Sequence, residues 1–133
     1  MRSLVLAAGL LGCLAAVAVP AARGATGTAL TITYFADSDR REKVRWTLSC
    51  APARGNHPRP AATCRELGRL GWQALRPVPE KTACTDIFGG PQLALVTGRV
   101  GGRRVWARLT RTDGCQIERW DRVPSLLPPG GAR

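Results

Sequence analysis

Alternation of apolar and polar residues predicts most of the regular structure of this chain. In residues 29–35, leucine, isoleucine and tyrosine alternate with threonine, which is the two-residue period of a strand with one buried face. Four later segments are predicted as strands as well. Two of them are separated by Gly101 and Gly102, a pair typical of a two-residue hairpin turn. The predicted strands cover residues 29–35, 44–50, 92–100, 103–111 and 117–123.

A helix is predicted near residues 61–75, between the second and third strands. Apolar residues recur at helical spacing from Cys64 to Ala74, and Thr63 with Glu66 has the spacing of an N-terminal capping box. Together, these elements predict a single small α+β domain, with an antiparallel sheet of about five strands and one or two helices.

The two ends of the chain are expected to lie outside this domain. Residues 1–25 have the short positive start and apolar run of a secretory signal peptide, with cleavage expected near residues 21–25. Cys13 resembles a lipoprotein processing site, but the apolar residues after it fit a continuing signal core better. No second apolar run follows, so residues 26–133 are expected to be extracellular and free of the membrane. The tail is expected to fray from about residue 124.

Composition adds a strong basic bias to this picture. The 133 residues suit one domain, and 20 Lys and Arg against 9 Asp and Glu give a formal net charge of +11. An excess of this size favours anionic partners. Since only Lys43 and Lys81 are lysines, part of the excess reflects an arginine-rich composition, and no specific nucleic-acid site is expected. The arginines on which a non-inhibitory basic binding surface would rest are Arg99, Arg103, Arg104, Arg108, Arg111, Arg119 and Arg122.

The cysteines of the predicted exported domain favour two disulfides over a metal site. There is no CxxC pair and His57 is the only histidine, so the usual metal-ligand spacings are missing. Spacing alone leaves three pairings open. No metal or cofactor is expected. The four cysteines are Cys50, Cys64, Cys84 and Cys115.

The sequence carries no recognisable catalytic constellation. His57 lies in a proline-rich loop that can hold it for structural reasons, and the carboxylates are scattered singly. The four tryptophans could form a binding platform, but strand-spaced tryptophans are more often core or subunit contacts. We therefore expect a protein that is not an enzyme. The tryptophans are Trp46, Trp72, Trp106 and Trp120.

The order of the cysteine segments resembles the bacterial subtilisin-inhibitor-like family of secreted serine protease inhibitors. Residues 47–52 read TLSCAP, residues 55–60 read GNHPRP, and Cys64 follows. Residues 83–85, ACT, resemble the entry to the family's reactive site. The resemblance extends from residue 28 to about 123. It implies a secreted inhibitor, generally a homodimer, with disulfides Cys50–Cys64 and Cys84–Cys115.

The resemblance also implies a reactive loop, in which a disulfide-pinned segment mimics a protease substrate. Its residues are Cys84 at P3, Thr85 at P2, Asp86 at P1, Ile87 at P1′ and Phe88 at P2′. The implied reactive bond is Asp86–Ile87. Because residues 88–91 are about one residue longer than in the family, Ile87–Phe88 is the alternative bond.

An acidic P1 residue departs from the family pattern, which places an apolar or basic residue there. A carboxylate that enters an apolar S1 pocket loses its hydration without gaining a partner. Inhibition of subtilisin should therefore be weakened. The family resemblance still makes subtilisin-like proteases the first expected partners, with trypsin-like proteases and proteases that accept an acidic P1 residue as alternatives.

Overall fold

The computed structural model describes residues 27–37 and 39–130 as a small α+β domain with a four-stranded antiparallel sheet. The strand order is β2-β1-β3-β4. The predicted signal peptide, Cys13 and residues 131–133 lie outside the described residues. In chain order the elements are β1 Ala29–Phe35, β2 Lys43–Ser49, α1 Pro60–Leu70, a short 3₁₀ helix Trp72–Leu75, β3 Gly90–Val100, β4 Arg103–Arg111 and α2 Gly114–Asp121.

The strand register follows the alternation in the sequence. Ile32 of β1 pairs with Trp46 on one side and with Val96 on the other, and Val96 pairs in turn with Ala107 of β4. Since successive side chains point to opposite faces of a sheet, this row shares one face. Ile32 and Val96 are fully buried, so this face forms the core.

Both helices pack against the core face. Leu67 of α1, Leu75 of the 3₁₀ helix and Trp120 of α2 are buried in the same cluster as the inward residues of the sheet. The opposite face, here called the outer face, alternates with the core face along every strand. Its members include Thr31, Thr33, Lys43, Arg45, Leu95, Thr97, Arg99, Arg104, Trp106 and Arg108.

The strand predicted over residues 117–123 is wrong, because this part of the chain forms helix α2. The side chain of Asp113 accepts a hydrogen bond of 2.9 Å from the backbone N–H of Gln116, which caps the helix N-terminus. Helical spacing then buries Trp120 against the sheet. The sheet therefore has four strands instead of about five, while the α+β class is confirmed.

The capping box predicted in α1 is also wrong. The helix begins at Pro60, so Thr63 and Glu66 lie within it. The carboxylate of Glu66 accepts backbone hydrogen bonds from Ser125 at 3.1 Å and from Leu126 at 3.2 Å. These polar side chains hold the C-terminal segment instead of starting the helix.

The segment after α2 is packed, although the sequence predicts fraying from about residue 124. Val123, Leu126 and Leu127 are at most 1% exposed and belong to the core. Their burial removes apolar surface from water, which a frayed tail would leave exposed. The prediction is therefore wrong for residues 124–130.

Candidate functional site

The segment that the sequence singles out as a reactive loop is an exposed irregular connection that leads into β3. Residues 82–89 have no regular secondary structure, and Asp86 is exposed. Ile87 and Phe88 keep 60% and 66% of their surface exposed. Adjacent large apolar side chains that stay exposed to water are typical of surfaces that contact other molecules.

The upstream end of this loop is fixed by a covalent bond and a hydrogen bond. Cys84 forms a disulfide with Cys115, and their Cα atoms are 5.4 Å apart. The backbone N–H of Gly114 donates to the carbonyl oxygen of Thr85 at 2.9 Å. A Cβ atom at Gly114 would collide with Oγ1 of Thr85, so glycine permits this close approach.

The downstream end is held by Arg111, the last residue of β4. The N–H of Gly89 donates to the carbonyl oxygen of Arg111 at 2.7 Å. In return, Nε of Arg111 donates to the carbonyl oxygen of Gly89 at 3.3 Å. A Cβ atom at Gly89 would lie 2.7 Å from Cδ1 of Ile117, so the loop also packs tightly onto α2 here.

Both ends of the loop are therefore anchored on one short stretch, residues 111–117, where β4 passes into α2. Between the anchors lie the three exposed residues 86–88. Sequence reasoning finds the loop and its disulfide, but it misses the anchors Arg111 and Gly114. No local pattern marks them, because each acts through a contact with a distant part of the chain.

The structure contains the two disulfides that the family resemblance implies. Cys50–Cys64 joins the end of β2 to α1, and Cys84–Cys115 joins the loop to α2. The sulfur atoms of the second disulfide lie near the carboxylate of Asp113. Since both sulfurs are bonded to each other, they offer no thiolate to a metal ion.

His57 has a structural environment. It is 4% exposed, and its Nδ1 accepts a hydrogen bond of 3.1 Å from the N–H of Arg59. This fixes the proton on Nε2, which donates to the carbonyl oxygen of Leu126 at 3.0 Å. The ring also packs edge-on against Trp46. With both ring nitrogens engaged, His57 joins the loop before α1 to the C-terminal segment.

Two of the seven arginines considered for a basic binding surface are buried. Arg111 is 9% and Arg119 is 6% exposed. Arg119 donates to the carbonyl oxygens of Arg108 and Leu75, and burial, with a smaller contribution from the charge of Arg122, lowers its pKa. These two side chains make contacts within the fold, so only five of the seven arginines remain for a basic binding surface.

The four tryptophans do not share one environment. Trp120 is buried, Trp46 and Trp72 are partly buried against the core, and Trp106 is 73% exposed on the outer face. Trp72 lies beneath the guanidinium of Arg103, whose Cζ is 4.0 Å from the ring centroid. The core interpretation therefore suits three of the four, and only Trp106 among them is exposed.

None of the helices within residues 27–37 and 39–130 has the length and apolar character needed to cross a membrane. The fold, the disulfides and the doubly anchored loop define a class of small disulfide-bonded proteins with one exposed segment that is anchored at both ends. The model of the family described as subtilisin inhibitor-like matches residues 25–112, more than half of the chain. The chain therefore belongs to the subtilisin inhibitor-like family, and it is a serine protease inhibitor and not an enzyme.

The chain is also similar to one chain of a solved structure. It contains Streptomyces caespitosus sermetstatin in complex with Bacillus licheniformis subtilisin. The two chains are 27% identical, the match covers 75% of this chain and 94% of that one, and the TM-score is 0.47. A comparison with curated proteins gives no match.

Proposed function

We propose that this serine protease inhibitor acts on subtilisin-like proteases first, by presenting residues 84–88 to the protease as a substrate-like segment. The reactive bond in this proposal is Asp86–Ile87. The observation that carries it is the double anchoring: Cys84 and Thr85 are tied to α2, and Gly89 is tied to Arg111. Only residues 86–88 extend freely between the anchors. The proposed positions are Cys84 at P3, Thr85 at P2, Asp86 at P1, Ile87 at P1′ and Phe88 at P2′.

The anchors explain how a substrate-like segment can inhibit instead of being consumed. A loop that is already ordered loses little conformational entropy on binding, so more of the contact energy appears as affinity. If the protease cuts the loop, both new ends stay attached to residues 111–115 and remain close together. Cleavage then gains little entropy, and the cut bond can be resealed. We expect a contact of about 1,600 Å² in total, the usual size for such complexes.

Asp86 at P1 sets the expected specificity. In the apolar S1 pocket of a subtilisin, its carboxylate loses hydration at a cost of about a few kcal/mol. A protease with a cationic S1 pocket would pair with the same carboxylate. We therefore expect weaker inhibition of subtilisin than an apolar P1 residue would give, and proteases that cleave after acidic residues are the alternative partners. If Ile87 occupies P1 instead, the reactive bond is Ile87–Phe88, and the apolar side chain of Ile87 fits an apolar S1 pocket.

We further propose that the inhibitor is secreted and forms homodimers through the outer face of the sheet. Secretion is supported by the signal-like pattern of residues 1–25. The outer face is supported as the interface because both helices pack on the other face and Trp106 is exposed. The four strands contain no Asp or Glu, so two copies would bring like charges together. Salt should therefore strengthen the association.

The proposal is tested by titration of the oxidised protein against a subtilisin, a trypsin-like protease and a glutamyl-specific protease. Mass spectrometry of each complex locates any cut between Cys84 and Gly90. Saturable inhibition with one slow cut at Asp86–Ile87 supports the proposal. Rapid degradation through the loop, with no inhibition of any of the three proteases, would refute it.

A further inference from the structure

Arg111 is a buried arginine whose side chain lies close to three parts of the fold: the loop, α2 and the C-terminal segment. Its Nε donates to the carbonyl of Gly89, and its Nη1 pairs with Oδ1 of Asp121 at 2.9 Å. Its Cζ lies 5.9 Å from the ring centroid of Trp120. A Cβ atom at Gly130 would collide with the guanidinium, so the C-terminal segment lies directly on it.

A buried guanidinium needs partners for its charge and its donors. Here the charge is balanced by Asp121, whose side chain is 58% exposed, while the side chain of Arg111 is 11% exposed. Asp121 belongs to α2 and Gly130 to the C-terminal segment, so both follow residue 112, where the family match ends. The pocket that holds this side chain is therefore built largely by residues beyond the matched region.

The two anchors of the loop differ in kind. Upstream of the proposed reactive bond, Cys84 is held covalently. Downstream, Gly89 is held by two hydrogen bonds to Arg111 and by packing on Ile117. Hydrolysis breaks the bond between the Asp86 carbonyl carbon and the Ile87 nitrogen; water supplies a hydroxyl to the carbon and a proton to the nitrogen. Resealing releases that water and needs the Ile87 amine to stay in place.

We propose that Arg111 is the positioning residue that keeps the downstream end of the cleaved loop in register for resealing. This inference rests on the proposed inhibitory function. Ile87 lies two residues from Gly89, so its new amino terminus can move only as far as the Gly89 anchor allows. Loss of the Arg111 side chain removes the Nε donor from the carbonyl oxygen of Gly89. It also opens the space between the loop, α2 and Gly130. The loop is then cut and released faster than it is resealed.

Arg119 provides a matched control, because it is also a buried arginine of similar exposure. It donates to backbone carbonyls of Arg108 and Leu75 and to the side chain of Gln116, and none of these belongs to the loop. Arg111→Met and Arg119→Met should both lower the melting temperature. Only Arg111→Met should convert a lasting inhibitor into a temporary one.

The experiment incubates wild type, Arg111→Met and Arg119→Met with the protease that wild type inhibits best, at a temperature where all three are folded. The recovery of protease activity and the fraction of cut inhibitor are followed over time. We expect cutting by Arg111→Met to be at least ten times faster than wild type, and Arg119→Met to stay within a factor of two. Asp121→Asn removes the charge that pairs with Arg111, and its side chain is more exposed. The rate at which this variant is cut should lie between those of Arg111→Met and Arg119→Met.

Equal rates for Arg111→Met and Arg119→Met would overturn the inference and assign Arg111 a purely structural role. If wild type inhibits no protease, the proposed function fails instead, and this result is visible before any variant is compared. A variant that does not fold is recognised by its circular dichroism and replaced by Arg111→Lys. This substitution keeps the charge but loses the Nε donor, so it should still speed cutting relative to Arg119→Lys.

Discussion

The backbone N–H of Gly114 donates a hydrogen bond of 2.9 Å to the carbonyl oxygen of Thr85, next to the Cys84–Cys115 disulfide. These two contacts connect the first two residues of α2, Gly114 and Cys115, to the two residues just before Asp86. Three residues earlier in the chain, Arg111 holds Gly89 on the other side of the loop. The junction between β4 and α2 therefore supports both sides of the exposed segment.

The two disulfides should differ in their contribution to inhibition, although both stabilise the fold. Replacement of Cys84 and Cys115 together by serine should lower the unfolding free energy by about 3–4 kcal/mol and should raise the inhibition constant at least about 100-fold. The loop then loses its covalent tether and becomes an ordinary substrate. The measurements are chemical denaturation and titration against the protease.

Replacement of Cys50 and Cys64 by serine serves as the control. It also removes a disulfide, but this one joins β2 to α1, far from the loop in the chain. We expect reduced stability with inhibition within a few-fold of wild type under conditions where the variant is folded. Equal loss of inhibition in both variants would mean that general stability, not the tether, controls activity.

Asp86 should limit affinity for subtilisin. Asp86→Leu removes a carboxylate that would otherwise lose its hydration in the pocket, so the inhibition constant should fall by a factor of about 10–100. Glu118→Gln removes a negative charge from the exposed side of α2 and should change little. If Asp86→Leu has no effect while Ile87→Asp abolishes inhibition, the reactive bond is Ile87–Phe88.

The outer face should produce a dimer whose stability rises with salt. At about 0.01 M salt the charges repel over about 30 Å, and at about 0.1 M over only about 10 Å. Sedimentation velocity should show more dimer at the higher salt concentration. Trp106→Ser should give a monomer of unchanged melting temperature, whereas Val44→Ser, at another exposed apolar position, should still dimerise. Dimers that dissociate as salt increases would contradict this interface.

Tyr34 should make the fold sensitive to alkali. Burial raises the pKa of its phenol above the ordinary value of 10.0, because the charged phenolate is poorly solvated in the core. As pH rises past that value, the unfolded chain loses its proton first, so the unfolding free energy falls until the folded pKa is reached. The ultraviolet absorption of this single tyrosine reports the titration directly. Tyr34→Phe should not show this part of the fall in unfolding free energy at alkaline pH. An identical fall in both proteins would contradict its assignment to the phenol of Tyr34.

The parts of the fold that the sequence predicts are those set by local patterns. Strands β1 to β4 follow their alternation, and Gly101 and Gly102 adopt positive φ angles of 56° and 80° in the turn. The same kind of local argument fails where a residue is used for a distant contact. Glu66 has the spacing of a helix cap, yet it binds the backbone of Ser125, which is 59 residues away.

The candidate site shows the same difference between features set by local sequence and features set by distant contacts. Exposed residues 86–88 and the nearby disulfide can be placed from sequence by family resemblance. The support behind them cannot, because the contact between Gly89 and Arg111 spans 22 residues and depends on how α2 packs. The wrong prediction of a strand over residues 117–123 excluded the packing of a helix there. It treated Trp120 as part of a sheet, although the Asp113 cap starts a helix there.

The most direct test of the account is to locate the bond that a bound protease cuts in the wild-type inhibitor. The oxidised protein is held with a slight molar excess over the most strongly inhibited protease, and the complex is analysed by mass spectrometry with the disulfides intact and after reduction. The account predicts one slow cut, at Asp86–Ile87, with intact and cut forms at equilibrium and inhibition maintained throughout. Cuts at several sites with protease activity restored, or inhibition without any contact at residues 84–88, would contradict it.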